Sequence, residues 1–171
     1  FAAQGRYPLV SINLSGASIA DESMLDYIRT LIDRSAADPK QICLEITETT
    51  AIENMSRATS FIKRLKGLGV SFALDDFGNG FSSFAYLKHL PVDYLKIDGS
   101  FVRDIADDPI DYALVEAVNN IGHVMNMKTI AEYVKDDRTR ALLEKIGVDY
   151  LQGYQISRPT PLDSKFSILQ T

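Results

Sequence analysis

The chain has 171 residues, of which 46% are hydrophobic and 24% charged, as in an ordinary globular domain with a sizeable core. A formal net charge of −5 without a basic stripe argues against binding to the backbone of a DNA or RNA polymer. The single cysteine, Cys43, excludes an internal disulfide, and with only two histidines present a zinc site of the Cys/His type is not expected.

Strand-like apolar runs alternate with amphipathic helical patterns along the chain. In chain order the predicted elements are a strand at 9–13, a helix at 21–35, a strand at 42–47, a helix at 55–68, strands at 71–76 and 94–98, a helix at 110–125, a strand at 128–134, a helix at 136–146 and a strand at 150–156. Asp21 and Asp136 are expected N-caps, and Gly67 and Gly147 are expected helix stops. This alternation is typical of parallel strands joined by crossover helices.

An open doubly wound sheet and a closed barrel both fit this order of elements. Ser71, Ala73 and Asp75 share one face of a predicted strand, and Phe72 and Leu74 share the other. An open sheet covered by helices should be apolar on both faces, whereas a barrel can hold polar groups near its catalytic rim. We therefore predict an α/β fold of the TIM-like (β/α) barrel type, here a partial barrel of about six βα units that lacks its N-terminal strands.

Polar residues recur at the carboxyl ends of the predicted strands, which in a parallel barrel open on one rim. Carboxylates that share a site repel each other unless they are protonated or bind a cation, and oxygen ligands suit Mg²⁺ or Mn²⁺. Two such ions about 3.5–4 Å apart are a common arrangement for phosphodiester hydrolysis. The rim residues are Asn13, Glu45, Glu48, Asp75, Asp76, Lys96, Asp98, Glu132 and Gln152.

A single acidic residue at a strand end is most often a helix cap or a solvated loop residue, and Lys96 alone could be the ion-pair partner of Asp98. The recurrence at nearly every strand favours a site over these interpretations. In such a site Lys96 would place a positive charge near a phosphate or a water, and Glu132 would act as a base or hold a metal-bound water. The glycine-rich segment 76–83 offers backbone N–H groups for phosphate binding, or a mobile gate.

The segment 75–83, Asp-Asp-Phe-Gly-Asn-Gly-Phe-Ser-Ser, resembles the DDFGTGYSS loop of EAL-domain cyclic di-GMP phosphodiesterases. Further motifs match that family in order and spacing over nearly the whole chain. They are Asn-Leu-Ser at 13–15, Glu-Ile-Thr-Glu at 45–48, Leu-Lys-Ile-Asp at 95–98, Ala-Glu at 131–132 and Gln-Gly-Tyr at 152–154.

The resemblance implies hydrolysis of cyclic di-GMP to linear pGpG with two Mg²⁺ or Mn²⁺ ions. The metal ligands that it implies are Asn13, Glu45, Asp75 and Asp76, the last serving a second ion. The catalytic residues that it implies are Lys96 and Glu132, which would position or deprotonate the attacking water, with Asp98 as support and Glu48 as a brace for the loop 76–83. The substrate-binding residues that it implies are Gln152, Asp76, Gly78 and Ser82.

Two departures from the family pattern bear on activity. The signature Glu-Ala-Leu, whose glutamate is a metal ligand, is absent, so residues 1–171 are identified as the C-terminal portion of a single EAL domain and are expected to be inactive by themselves. The family pattern Ala-Glu-Gly-Val-Glu is replaced by Ala-Glu-Tyr-Val-Lys at 131–135, and Lys135 reverses a charge near the pocket.

Two other functions remain open. A catalytically inactive module that binds cyclic di-GMP as a receptor is favoured by Lys135 and opposed by the retained metal ligands. An unrelated barrel enzyme would use Lys96 as a nucleophile toward a carbonyl, forming a Schiff base. The resemblance also implies fusion to upstream sensory or diguanylate-cyclase domains, a homodimer, and a cytoplasmic location, either free or as the cytoplasmic part of a membrane-anchored protein.

Overall fold

The structure, a computed structural model, describes residues 9–35, 37–78 and 84–161. In these ranges a single sheet of six strands is present, and every neighbouring pair is parallel. The strands are β1 (Val10–Asn13), β2 (Ile42–Thr47), β3 (Ser71–Phe77), β4 (Tyr94–Ile97), β5 (Lys128–Ala131) and β6 (Tyr150–Leu151).

The sheet order is β1-β2-β3-β4-β5-β6, so each strand pairs with the one that follows it in the chain. Because parallel crossovers are right-handed, an order without reversal places all the crossover helices on the same side. An open doubly wound sheet would instead reverse its strand order at a switch point. The observed order is that of a half-barrel of the TIM type, as predicted.

The helices lie between the strands and include the four that periodicity predicts. They are α1 (Gly16–Ala20), α2 (Glu22–Arg34), α3 (Glu48–Glu53), α4 (Met55–Lys66), α5 (Gly99–Arg103), α6 (Pro109–Val124) and α7 (Asp137–Ile146), with 3₁₀ turns at Pro39–Gln41 and Phe84–His89. Asp21 and Asp136 cap α2 and α7, and Gly67 and Gly147 follow the last residues of α4 and α7, as expected. In the described ranges no helix has both the length and the apolar character that crossing a membrane requires.

Three short helices that the sequence analysis missed each begin where a strand ends. Ser15, Thr47 and Asp98 are their N-caps, and each side chain accepts a hydrogen bond from a backbone N–H of the first turn. At five or six residues these helices are too short to show a 3.6-residue period. Polar caps therefore account for part of the polar character of the strand ends.

The two faces of the sheet have different chemistry. Leu44, Phe72 and Leu95 point to the helix side and belong to the hydrophobic core with Phe61 and Ile62 of α4. The opposite face of the same strands carries small and polar residues, of which Cys43, Ala73, Glu45 and Lys96 are buried. The asymmetry that predicts a barrel is thus present, with the apolar face against the helices.

The last two strands are shorter than predicted. β5 ends at Ala131, not at 134, because Tyr133 has a positive φ of 56° and turns the backbone out of the strand. β6 ends at Leu151, not at 156. Beyond these ends the Val134 N–H donates a hydrogen bond to the Gln152 carbonyl oxygen at 3.0 Å. The segments that follow β5 and β6 therefore remain in contact.

The carboxylate of Asp149, just before β6, contacts residues of both β5 and α6. It accepts hydrogen bonds from Lys128 Nζ at 2.6 Å and from the Thr129 N–H at 2.9 Å, and it lies 2.8 Å from His123 Nε2. Burial opposes ionisation of this carboxyl, but the bonds from Lys128, Thr129 and His123 outweigh burial and lower the pKa of Asp149 to about 2. The ionised carboxylate therefore stabilises the folded state.

Asp149→Asn is expected to lower the free energy of unfolding by roughly 2 kcal/mol at pH 7. Since the folded-state pKa lies below the unfolded value, this contribution is present above about pH 4 and is lost as the pH falls toward 2. Urea unfolding at pH 7 and pH 3 measures it. Asp107→Asn, which breaks an exposed ion pair with Arg138, is the control and should cost little. A difference between Asp149→Asn and wild type that does not shrink with acid would contradict the assignment.

Candidate active site

The carboxyl ends of β2 to β5 converge on the side chain of Lys96, which is only 3% exposed. Its Nζ lies 2.8 Å from Glu45 Oε2, 2.7 Å from Asp75 Oδ1 and 2.8 Å from Glu132 Oε1. Glu45 comes from β2, Asp75 from β3 and Glu132 from the residue after β5. One buried cation thus holds three carboxylates that are far apart in the chain.

These carboxylates decide the charge of Lys96. Burial opposes the charged ammonium, but the hydrogen bonds to Asp75, Glu132 and Glu45 outweigh burial and raise the pKa of Lys96 above its usual value. A lysine that attacks a carbonyl needs the opposite, a lowered pKa and a free amine. The geometry therefore argues against the Schiff-base enzyme.

Asp75, Asp76 and Glu132 form a group that could hold a metal ion. Each offers one carboxylate oxygen, and these oxygens all lie within 4.8 Å of one another. An all-oxygen donor set fits Mg²⁺ or Mn²⁺ and not a soft metal. Glu132, predicted as a base, thus lies with the two aspartates predicted as metal ligands.

The electrostatics of this group favour a bound cation. Burial is the largest cause that raises the pKa of Glu132, and the charges of Asp75 and Asp76 add to it, against the lowering effect of Lys96. Burial also raises the pKa of Asp76, followed by the charges of Asp75 and Asp98. A divalent ion would relieve the repulsion that these carboxylates exert on each other.

An irregularity in β3 brings two adjacent aspartates to the same site. Neighbouring residues of a regular strand point to opposite faces. Here the register with β4 shifts between Leu74 and Phe77, and Asp76 has a positive φ of 55°. The Asp76 N–H donates to Asp75 Oδ1 at 3.0 Å. This bulge re-aims Asp76 toward Asp75 and Glu132.

Two further predicted residues hold backbone next to the cluster. Glu48, 4% exposed, accepts a hydrogen bond from the Gly78 N–H at 3.0 Å and another from the Tyr86 hydroxyl at 2.8 Å. Gly78 has φ 101°, and a Cβ there would lie 2.7 Å from the Phe101 ring. Asp98 caps α5. Glu48 thus fixes the backbone directly after β3.

The remaining predicted residues lie around this cluster. Asn13 is opposite Glu45 in the β1–β2 register and is exposed at the end of β1. Gln152 is exposed and lines a pocket beside Glu132. Ser82, predicted to bind substrate, lies outside the described residues.

A pocket of about 620 Å³ opens beside Glu132. This volume lies in the range of small-ligand sites, roughly 300–1,000 Å³. Sequence reasoning missed two arginines near it, Arg103 and Arg158, because neither lies at a strand end and exposed arginines give no periodic signal. The lining includes Glu132, Tyr133, Lys135, Gln152, Tyr154 and Arg158.

The Gln152 side of this pocket depends on close backbone packing at Gly153. A Cβ at Gly153 would lie 2.3 Å from the Val134 nitrogen and 2.4 Å from its carbonyl oxygen. Since both atoms are backbone, only a shift of the chain relieves the contact. The glycine of the Gln-Gly-Tyr motif is therefore required by packing.

Gly153→Ala is expected to lower stability by about 1–3 kcal/mol, because overpacking forces the backbone to shift. It should also weaken ligand binding in the pocket, since Gln152 and Tyr154 move with it. Gly147→Ala is the control, because its φ of 89° also disfavours alanine but no atom lies within 4 Å of the new Cβ. Thermal unfolding of both variants measures the difference, and equal losses would contradict the packing argument.

Fold and site together define a class: a TIM-like barrel domain with an acidic site at the carboxyl ends of its strands. The sequence model described as "EAL domain" matches residues 1–159, and the chain belongs to the EAL domain family.

Similar curated proteins include cyclic di-GMP phosphodiesterases. PdeB of Shewanella oneidensis is 47% identical over 155 residues, which are 91% of this chain and 18% of that protein. PdeA of Borreliella burgdorferi is 35% identical over 162 residues, 95% of this chain and 24% of that protein. The chain therefore spans less than a quarter of the length of either relative.

Solved structures of the family superpose closely on this one. The PaMucR phosphodiesterase in its c-di-GMP complex has a TM-score of 0.88 at 33% identity, covering 96% of this chain and 66% of that one. The EAL domain of Mycobacterium smegmatis DcpA has a TM-score of 0.90 at 30% identity, covering 97% of this chain and 74% of that one. These likenesses confirm the predicted TIM-like barrel fold.

Proposed function

We propose that this domain, within the intact protein, hydrolyses cyclic di-GMP to linear pGpG with two Mg²⁺ or Mn²⁺ ions. The observation that carries the proposal is the group of Asp75, Asp76 and Glu132 oxygens around the buried Lys96, beside a pocket of small-ligand size. The identity to proteins named cyclic di-GMP phosphodiesterases supports the choice of substrate.

The carboxylates would hold the ions, with Asn13, Glu45, Asp75 and Asp76 as ligands. When bound, such ions supply Lewis acidity at the phosphate and a water of lowered pKa. Glu132 lies within 4.8 Å of the Asp75 and Asp76 oxygens, so it can accept a proton from the attacking water or orient it.

Lys96 and two acidic residues would organise this site. Lys96 keeps the carboxylates of Glu45 and Glu132 in place through its hydrogen bonds. Asp98 would support the site from the N-cap of α5, Glu48 would fix the backbone at Gly78, and Ser82 would bind the substrate. Substrate would also contact Gln152 and Asp76.

The structure weakens one argument for the alternative function, a receptor that binds cyclic di-GMP without cleaving it. Lys135, the residue that favoured binding without turnover, lies 3.7 Å from Asp104, so a carboxylate offsets its charge. The oxygens of Asp75, Asp76 and Glu132, which could hold a metal ion, lie together. Hydrolysis is therefore the better proposal for this chain.

The proposal also concerns the rest of the protein: the missing strands of the barrel, the neighbouring domains, the oligomeric state and the location. Residues 1–171 would be the C-terminal portion of a single EAL domain, whose other strands lie upstream, because TIM barrels close with eight strands. Fusion to sensory or diguanylate-cyclase domains is supported by the bifunctional cyclase/phosphodiesterase MucR of Pseudomonas aeruginosa, of which this chain covers 22%. A homodimer and a cytoplasmic location, either free or as the cytoplasmic part of a membrane-anchored protein, complete the proposal.

Hydrolysis of cyclic di-GMP by the intact protein, measured with Mg²⁺ and with Mn²⁺, tests the function, with pGpG identified as the product. Residues 1–171 alone are expected to show no turnover, because they lack the family's Glu-Ala-Leu glutamate. Binding measured in Ca²⁺ separates the two candidates, since tight binding without turnover by the intact protein would favour the receptor. A fully active fragment would contradict the requirement for the upstream part.

A further inference from the structure

The pocket beside Glu132 carries an aromatic arrangement that hydrolysis itself does not require. Tyr133 and Tyr154 both line it, and they are 51% and 68% exposed. Arg103 Cζ lies 4.8 Å from the centroid of the Tyr133 ring, and Arg158 Cζ lies 5.4 Å from that of Tyr154. Two exposed rings, each with a guanidinium over it, thus border the same cavity.

Tyr133 is held in a conformation that disfavours a side chain. Its φ of 56° lies in the left-handed region, which a bulky residue adopts only when its surroundings impose it. The Cβ of Tyr133 lies against Gly99, where an added Cβ would come within 2.8 Å. With Arg103 over its ring, Tyr133 is fixed against α5 and is not a freely rotating surface residue.

Basic side chains border the part of this pocket that holds the two tyrosines. Arg158 lines it and Arg103 stands over one of its rings, while the charge of Lys135 is offset by Asp104 and the Glu132 carboxylate lies on the catalytic side. Aromatic rings bind bases by stacking, and arginine adds a cation–π contribution. A ligand that satisfies both features combines a planar base with phosphate.

We propose that Tyr133 and Tyr154 form a stacking surface for a purine base of the substrate, with Arg158 drawing in its phosphates. Tyr133 stands where the family pattern has glycine, so this contact would be particular to this chain and would set its affinity for the dinucleotide. The inference rests on the proposed function. Because Tyr133 directly follows Glu132, a base bound here lies next to the residues that would cleave the diester.

Tyr133→Gly in the intact protein removes the ring and tolerates the positive φ, so the fold is preserved. We expect it to raise the KM and Kd for cyclic di-GMP about tenfold, the range of one base stack, with kcat changed far less. Tyr133→Phe keeps the ring and should recover most of the affinity. Tyr27→Ala, which removes an exposed tyrosine of α2, is the matched control and should leave both constants unchanged.

The single-turnover rate at saturating cyclic di-GMP separates base binding from chemistry. In Tyr133→Gly the Kd for cyclic di-GMP should rise about tenfold, while this rate changes far less. A loss of this rate as large as the rise in Kd would mean that Tyr133 acts by positioning Glu132, and an unchanged Kd for cyclic di-GMP would mean that no stack forms. Either result overturns the inference.

The experiment distinguishes failure of the proposed function from failure of the stacking inference. If wild type does not turn over cyclic di-GMP, calorimetry in Ca²⁺ still tests the stack. A Kd that rises in Tyr133→Gly and recovers in Tyr133→Phe supports the inference, while no binding by wild type overturns it.

Discussion

Lys96→Met is expected to destabilise the domain by about 3–5 kcal/mol at neutral pH, because it removes one partner of a buried ion-pair network. Three carboxylates lie within 2.8 Å of the ammonium, and methionine fills the space without the charge. Glu45, Asp75 and Glu132 would then repel one another in a buried site. Hydrolysis of cyclic di-GMP is expected to be abolished, since the carboxylates lose their fixed positions.

Urea unfolding in the presence of a chelator measures the loss of stability. Lys66→Met is the matched control, because it breaks a 2.6 Å ion pair with Asp93 that is about one-third exposed, and it should cost about 1 kcal/mol or less. Added Mn²⁺ should restore part of the stability of Lys96→Met, because the ion neutralises the same carboxylates and binds the folded state. If both variants lost equal stability, the carboxylates would not depend on Lys96.

Asp75→Asn is expected to lower kcat for cyclic di-GMP by about a thousandfold, the effect of losing about 4 kcal/mol of metal-derived stabilisation of the transition state. Asparagine has the same shape but no charge, so it weakens a ligand shared with Asp76 and Glu132. It also removes the shortest of the ion pairs to Lys96, at 2.7 Å.

Turnover and Mn²⁺ binding by calorimetry, measured on the same preparations, test this prediction. Asp33→Asn, which alters an exposed carboxylate 4.0 Å from Arg29 on α2, should change neither. Weaker metal binding together with lost turnover would place the ion at Asp75. Lost turnover with unchanged metal binding would move the ion to other ligands and leave Asp75 as a partner of Lys96 alone.

Much of the fold follows from local patterns in the chain. The helices α2, α4, α6 and α7 are found within about two residues of their predicted bounds, because each carries an apolar stripe of its own and begins or ends at a recognisable cap. The short helices were missed because a single turn has no period. The strand predicted at 128–134 is longer than β5 because Tyr133 turns the backbone, and no composition rule predicts its left-handed conformation.

The sequence by itself determined that polar residues end successive parallel strands, and the motifs around them indicated the family. Only the tertiary structure decided how these residues pair. Lys96 forms ion pairs with Asp75, Glu132 and Glu45, the last of which is 51 positions away in the chain. Asp76 joins the same site because of a bulge in β3. Strand register and backbone turns set such contacts between distant segments, whereas periodicity reports only on neighbours along the chain. The stacking of Arg103 on Tyr133 and the pairing of Lys135 with Asp104 are likewise long-range contacts that no local pattern encodes.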